Sequence, residues 1–224
     1  RAGTRLGGPV ARPGPLLGAS ALALMFLPLS AGAAETFKFD PSKYSQEPTG
    51  CDRLASHPDD PFHVAPGLEK PQMDLPAAIA ACEVAVARDP ENPRLQYQLG
   101  RVYGYSGLGE KSGEHREAAV AADYPQALFV IGYLYLEGLN KAPQDVCRAA
   151  KLIHRSAQFG RIAGQLGYPM WVMDGRFKGC DTPQDKAEML GFLDAAAAQS
   201  RDFYPQSLVK LLKQDLAAYK PAKR

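Results

Sequence analysis

The sequence lacks a strong excess of charge of either sign, and it has few cysteines and a single tryptophan. Its 224 residues include 26 Lys and Arg against 24 Asp and Glu, a formal net charge of +2, with the two signs interleaved. A protein that holds nucleic acid through phosphate contacts carries a basic patch or stripe. We therefore predict no nucleic-acid binding, and the length suits one domain of ordinary size with an appendage.

The familiar catalytic and cofactor motifs are also missing. The sequence has no Walker loop, no dinucleotide fingerprint and no Gly-x-Ser-x-Gly elbow, so we predict no cofactor. Ser207 and Lys210 fit the Ser-x-x-Lys spelling of penicillin-recognising enzymes, but the Ser-Asp-Asn and Lys-Thr-Gly that accompany it are absent. A metal site in the loop "HPDDPFH" is a further alternative, with the ligands His57, Asp59, Asp60 and His63.

No apolar stretch reaches the roughly 20 residues that a membrane-spanning helix needs. Residues 16–30 are apolar, follow three arginines and precede the small residues "AGA". This order predicts a secretory signal at residues 1–33, cleaved after Ala33, with an uncleaved anchor as the alternative. Its removal leaves 23 basic against 24 acidic side chains. We expect a periplasmic or secreted protein with no stable membrane span after cleavage.

The four cysteines show no Cys-x-x-Cys spacing, and no His-x-x-x-His occurs beside them, as zinc sites commonly have. An even number of cysteines in an exported chain predicts two disulfides. Three pairings are possible, and sequence order favours Cys51–Cys82 and Cys147–Cys180. Each would close a loop of about 30 residues. A zinc site remains the alternative.

Two regions of different amino-acid composition follow the signal. Residues 34–76 are rich in Pro, Asp, Ser and Lys, which predicts an irregular, extended arm that Cys51 tethers. Residues 77–224 have apolar residues at helical spacing and contain short sequences that recur. "LGRVY" at 99–103 recurs as "IGYLY" at 131–135, and "YPQ" at 124–126 recurs at 204–206. Such recurring sequences indicate repeated helix pairs.

The apolar stretch at residues 124–138 is predicted to be the first helix of one pair. A strand there would have no partner strands, and a membrane span fails on length and on Glu137. We also expect an unusually short helix around residues 114–122 and a helix kinked or shortened by Pro169. Residues 204–219 read as a capping helix, with an apolar stripe of Leu208, Leu211, Leu212 and Leu216.

These residues resemble a Sel-one-like repeat, a branch of the tetratricopeptide repeats. The family pattern is Ala-x-x-x-Leu-Gly-x-x-Tyr-x-x-Gly, then an acidic loop and a helix with spaced alanines. The matching positions are Ala127, Ile131, Gly132, Tyr135, Gly138, Asp145, Ala149, Ala157 and Gly160. The next unit, 161–200, is degenerate, and the resemblance covers roughly 77–200. It implies an all-α fold: a right-handed α/α solenoid of two to three helix pairs, with the capping helix and the irregular arm. It also supports the Cys147–Cys180 pair, because both positions would fall on one edge of neighbouring units.

The resemblance implies a function as well. In such arrays the first helix of each unit lines a concave groove, so we expect a non-enzymatic adaptor or scaffold in the cell envelope that binds a peptide or protein partner there. The implied groove residues are Arg94, Tyr97, Arg101, Tyr105, Phe129, Tyr133, Leu136, Glu137, Met170, Met173 and Asp174. Part of them could instead belong to the core between repeats. The competing functions are an envelope hydrolase or β-lactam-interacting enzyme, and a structural subunit with apolar patches outside the groove.

Overall fold

The structure, a computed structural model, describes Gly8 and residues 37–220; the predicted signal at 1–33 lies outside the continuous described range. This part of the chain folds into helices without strands, so the prediction of an all-α protein is confirmed. The α-helices are α1 Gly50–Ala55, α2 Leu75–Arg88, α3 Pro93–Tyr105, α4 Gly109–Ala121, α5 Pro125–Glu137, α6 Val146–Gln158, α7 Ile162–Met173, α8 Lys186–Gln199 and α9 Phe203–Ala218. None of these helices has both the length and the apolarity that crossing a bilayer takes.

Helix boundaries follow local rules that the sequence displays. Proline opens α3 and α5, where its missing N–H costs nothing and its fixed φ suits the first turn. The carboxylates of Asp74, Asp145 and Asp185 accept hydrogen bonds from backbone N–H groups at the starts of α2, α6 and α8. Gly138 ends α5 with a φ of 65°, a left-handed conformation that glycine adopts without steric cost.

The arm is more structured than its prolines predict. It contains the 3-10 helices Pro41–Lys43 and Lys70–Gln72 as well as α1. Helix α1 begins with a capping box, because the Thr49 hydroxyl accepts from the Asp52 N–H and the Asp52 carboxylate accepts from the Thr49 N–H. The expectation of an extended arm is therefore wrong for residues 50–55.

Two further helices bear on the expected helix lengths. Helix α4 has 13 residues rather than being unusually short. Its buried positions are small or polar, so the sequence shows no apolar stripe there: Gly109, Ser112, Arg116 and Ala119. Helix α7 continues through Pro169 to Met173 over 12 residues and is not cut short there.

Packing is sequential, since each helix from α1 to α9 contacts the next one along the chain. The more extensive contacts that skip a helix join α1 with α3 and α7 with α9. At Gly132 the approach of α6 to α5 is so close that an added Cβ would lie 2.7 Å from Ile153 Cγ1. Close packing of α6 on α5 thus explains why glycine occupies position 132.

The cysteines form the two disulfides that sequence order favours. Cys51–Cys82 joins α1 to α2, and Cys147–Cys180 joins α6 to the loop before α8. No cysteine is left free, so the zinc alternative is wrong. Disulfides persist in oxidising compartments, which is consistent with an exported protein.

Candidate functional site

Helix α3, predicted to line the first part of the groove, is buried from Pro93 to Gly104. Arg94, Tyr97 and Arg101 are 3%, 2% and 7% exposed. The chain's own arm covers them. An outside partner therefore does not reach these three side chains, and the prediction of an open groove is wrong here.

Hydrogen bonds join the two arginines to the arm. Arg94 donates from Nε to Asp52 Oδ1 at 2.7 Å and from a terminal nitrogen to the Ser45 carbonyl at 2.9 Å. Arg101 donates to three arm carbonyls, those of Ala55, Ser56 and Leu68, at 2.7–2.9 Å. Burial by itself raises the pKa of Asp52, but hydrogen bonds, led by the one from Arg94, outweigh it and hold that pKa below its ordinary value.

Aromatic side chains continue the contact between the arm and the helices. Phe39 packs against Tyr124 with ring centroids 5.4 Å apart, and Tyr124 lies 5.9 Å from Tyr97. Tyr105, another predicted groove residue, is half-buried with Lys70 Nζ of the arm 5.3 Å from its ring centroid. These contacts place Tyr105 beside the arm as well.

The possible metal ligands in "HPDDPFH" have other roles. Asp60 is buried and accepts a hydrogen bond from the Tyr124 hydroxyl at 2.6 Å. Burial raises the pKa of Asp60 in spite of this bond. His57 Nδ1 accepts from the Asp59 N–H, and His63 Nδ1 lies 2.6 Å from the Asp60 carbonyl. Among residues 37–220 no group of three or more His, Cys, Asp or Glu side chains is arranged to hold a metal ion.

The open part of the predicted groove lies on α5 and α7, and α9 adds Leu208 to it. Tyr133 is 39% exposed, and Phe129 and Met170 are half-buried. They border a cavity of about 300 Å³ with apolar and aromatic walls, lined by Phe129, Tyr133, Ala163, Leu166, Gly167, Met170, Trp171 and Leu208. Trp171, which is largely buried, forms its floor, with ring centroids 6.4 Å from Phe129 and 6.2 Å from Tyr133. We call this the α5–α7–α9 cavity.

Helix α9 extends this apolar surface, which sequence reasoning missed. Tyr204, Leu208 and Leu211 are exposed and fall at i, i+4 and i+7 on one side of the helix. Of the four leucines in the predicted stripe, Leu212 and Leu216 are buried, whereas Leu208 and Leu211 are exposed. The buried face of α9 also includes Val209. The recurrence of "YPQ" at 204–206 was the available signal that α9 begins in the same way as α5.

The remaining predicted groove residues divide between core and edge. Leu136 is fully buried, and Met173 is half-buried against the core of the last helices. Glu137 accepts a hydrogen bond from Arg176 at 2.7 Å, and Asp174 is exposed. The structure thus brings Phe129, Tyr133 and Met170 together at the cavity, whose lining includes neither of the two acidic side chains.

Four polar contacts show that α5, α7 and α9 run in the same direction. Arg161, just before α7, donates to Gln126 at the start of α5 at 2.6 Å, whereas Arg176, just after α7, reaches the end of α5. Gln199, at the end of α8, donates to Gln165 near the start of α7 at 2.7 Å. Lys186, at the start of α8, donates to the Ala217 carbonyl at the end of α9 at 3.1 Å, so α8 runs opposite to both α7 and α9. The surface therefore has a start edge and an end edge.

Comparisons with models of protein families, with characterised proteins and with solved structures find no match. The Sel-one-like resemblance therefore rests on the residues that suggested it.

Other candidate sites are less defined. A larger opening of about 940 Å³ lies between residues 43–53 and the end of α2. Its walls carry charges of both signs, from Lys43, Glu47, Arg53, Arg88, Asp89 and Glu91. Ser207 is half-buried and Lys210 exposed on α9. His154 on α6 and Glu188 on α8, 2.8 Å apart, are enclosed by the rings of Tyr168 and Phe192.

Proposed function

We propose that this protein is a non-enzymatic interaction module of the bacterial envelope or a secreted one, built as a Sel-one-like α/α solenoid. In this proposal the α5–α7–α9 cavity binds an apolar or aromatic side chain of a peptide or protein partner. The observation that carries the proposal is the cavity itself, an opening of about 300 Å³ with apolar walls on the exterior of the helices.

The composition of the cavity supports binding rather than catalysis. Aromatic residues and Met are enriched at the centres of protein interfaces, and Met adapts to partners of different shape. The cavity walls present Phe129, Tyr133 and Met170 and carry no charged side chain. A hydrolase needs convergent polar groups at its pocket, and no observation on the described residues favours that alternative.

The arm supports the proposal from the neighbouring surface. Arg94 and Arg101 on α3 already hold the arm, another segment of the same chain, by its backbone carbonyls. The same-direction run of α5, α7 and α9 is the arrangement expected of first helices in a solenoid. The two disulfides support an oxidising location outside the cytosol.

Selection of peptides from a displayed library on the purified protein tests the proposal. We expect enriched peptides that share an aromatic or leucine anchor. Tyr133→Ala should weaken their binding at least tenfold, about 1.4 kcal/mol, without lowering the melting temperature, because Tyr133 is 39% exposed.

Leu190→Ala on α8 is the matched control, since Leu190 is 43% exposed and does not line the cavity. Peptides that bind the wild type and Tyr133→Ala equally well would contradict the proposal. Loss of folding in Tyr133→Ala would show instead that this ring belongs to the core.

A further inference from the structure

The two disulfides differ in their access to solvent. Cys51 and Cys82 are fully buried. Cys147, in the first turn of α6, is exposed, and Cys180 is half-buried in the loop before α8. Exposed disulfides are reduced more readily than buried ones, because a thiolate must reach one of the two sulfur atoms. Cys147–Cys180 is therefore the bridge that a reductant can reach in the folded protein.

A loop of residues 174–185 joins α7 to α8, and this bridge fastens it to α6. Arg176 also pairs with Glu137 of α5 at 2.7 Å, but both side chains are partly exposed and such surface pairs contribute little. Nearer to α8, the Pro183 carbonyl accepts a hydrogen bond from the Tyr168 hydroxyl. Reduction of the bridge therefore releases the first part of the loop from α6, whereas the end of the loop stays anchored.

The released part of the loop carries a side chain that supports the α5–α7–α9 cavity. Phe177, whose carbonyl accepts from the Cys180 N–H at 3.1 Å, is fully buried. Its ring centroid lies 6.2 Å from that of Trp171, the floor of the cavity. Phe177 does not itself line the cavity, so it contacts Trp171 away from the opening, where Phe129 and Tyr133 lie. A continuous set of contacts thus leads from the bridge to the cavity.

We infer that Cys147–Cys180 is a site of thiol–disulfide exchange, and that its reduction by a dithiol loosens the floor of the α5–α7–α9 cavity. The consequence for binding rests on the proposed function, because it concerns the same cavity. The change in the cavity floor does not depend on what the cavity binds.

The exchange takes place in two steps. A thiolate of the dithiol attacks Sγ of Cys147, which belongs to the more exposed of the two cysteines, and forms a mixed disulfide while Cys180 leaves as a thiolate. The second thiol of the reagent, as its thiolate, then attacks the reagent's own sulfur in the mixed disulfide and releases Cys147. Two electrons and two protons pass from the dithiol, which becomes a disulfide, to the two cysteines.

Reduction should lower the affinity of the cavity. Once Phe177 is no longer held in place, the Trp171 ring loses its support and adopts several conformations. A ligand must then order this side chain again on binding, which costs affinity. We expect the reduced protein to bind its peptides about threefold to tenfold more weakly.

Treatment of the folded protein with dithiothreitol, followed by alkylation and peptide mapping, tests whether the exchange is selective. Cys147 and Cys180 should become alkylated while Cys51 and Cys82 stay joined, so the buried bridge is the internal control. Equal alkylation of all four cysteines, or no alkylation until the helical circular dichroism is lost, would overturn the inference.

Trp171 reports the change in the cavity floor, because it is the single tryptophan of the chain and is buried in the oxidised protein. Reduction should move its emission to longer wavelength and make acrylamide quench it more strongly, since water reaches a loosened ring. The helical circular dichroism should stay the same, and oxidised glutathione should reverse both changes. If the emission does not change although Cys147 and Cys180 are alkylated, the bridge does not control the floor.

Cysteine variants provide the matched comparison. Cys147→Ser, Cys180→Ser should resemble the reduced wild type before any reductant is added and should not respond to dithiothreitol. Cys51→Ser, Cys82→Ser should respond as the wild type does. A response of the Cys147→Ser, Cys180→Ser variant as large as that of the wild type would assign the effect to the other bridge.

Peptide binding separates the two proposals. A protein that selects no peptides but shows the selective alkylation and the emission change would contradict only the proposed function. Peptides that depend on Tyr133 and bind the oxidised and reduced forms equally well would contradict only the inference of redox control.

Discussion

At the scale of single residues, Asp52 holds the arm on α3. It is fully buried and accepts hydrogen bonds from Arg94, from Gln98 and from both the backbone and the hydroxyl of Thr49. One carboxylate therefore begins α1 and neutralises the buried guanidinium of Arg94. A buried charge pair adds little by itself, but losing one member leaves the other without compensation.

We predict that Asp52→Ala lowers the free energy of unfolding by about 3–5 kcal/mol, because Arg94 would stay buried without its partner. Asp74→Ala is the matched control, since Asp74 is an exposed carboxylate that only begins α2. Its loss should cost about 1 kcal/mol. Urea unfolding of both variants measures the difference; equal losses would show that the pair with Arg94 contributes nothing beyond capping.

The residues of the candidate site were predictable where helical spacing decides their direction. Phe129, Tyr133 and Met170 follow from the register of the repeat, and the structure places them at one cavity. Tyr97 and Arg101 occupy the positions equivalent to Phe129 and Tyr133 but are buried beneath the arm. A segment that binds through its backbone carbonyls has no periodic pattern in its sequence. The burial of α3 beneath the arm could therefore not be predicted.

At the scale of elements, the arm acts as a layer that lies on the helices although little of it is regular. Its backbone is fixed by side chains of α3 and by aromatic contacts with α5. The disulfide Cys51–Cys82 ties its one α-helix, α1, to α2. Removing the disulfide should therefore affect this layer first.

We predict that the double variant Cys51→Ser, Cys82→Ser loses about 3–4 kcal/mol of unfolding free energy, as expected for a closed loop of 31 residues. Hydrogen exchange at the amides of α1 should become faster. The Cys147→Ser, Cys180→Ser variant is the control, because that bridge joins α6 to the loop before α8. Faster exchange in α1 of both variants to the same extent would show that the arm is not held locally.

The helices that were predicted correctly are those with strong start and stop residues in the sequence. Proline and Asp at the starts and glycine at the ends predicted α5 and α6 closely. The buried positions of α4 are Gly109, Ser112, Arg116 and Ala119, which form no apolar stripe, so its length was underestimated. Helix α1 begins with a capping box, but it lies in a proline-rich stretch whose composition predicts no helix.

At the scale of the whole molecule, acidification should weaken the fold through two half-buried histidines. Burial lowers the pKa of His57 in the arm, with a further contribution from Arg101, and burial also lowers the pKa of His115 on α4. His115 Nδ1 lies 2.7 Å from Gln96 Oε1 of α3. The two histidines therefore couple protonation to the contacts of α3 with the arm and with α4.

The sign follows from where protons bind. In the unfolded chain a histidine titrates near 6.5, and in the fold His57 and His115 titrate lower. The unfolded state thus binds more protons below about pH 6.5, and stability falls as the pH drops through this window toward the folded pKa. Asp60 acts in the opposite sense: its raised pKa gives a contribution that is present below the unfolded value of 3.8 and is lost as the pH rises through the folded pKa.

A comparison of slopes isolates the histidine effect, because Asp60 is the same in every variant. We predict that the free energy of unfolding of the wild type, minus that of His115→Gln, decreases as the pH is lowered from about 7.5 to 5.5. His57→Gln should give the same sign. His63→Gln is the control, since His63 is exposed on the arm. Urea titrations at several pH values measure these differences; a difference for His115→Gln that grows as the pH falls would mean that the fold stabilises the protonated ring.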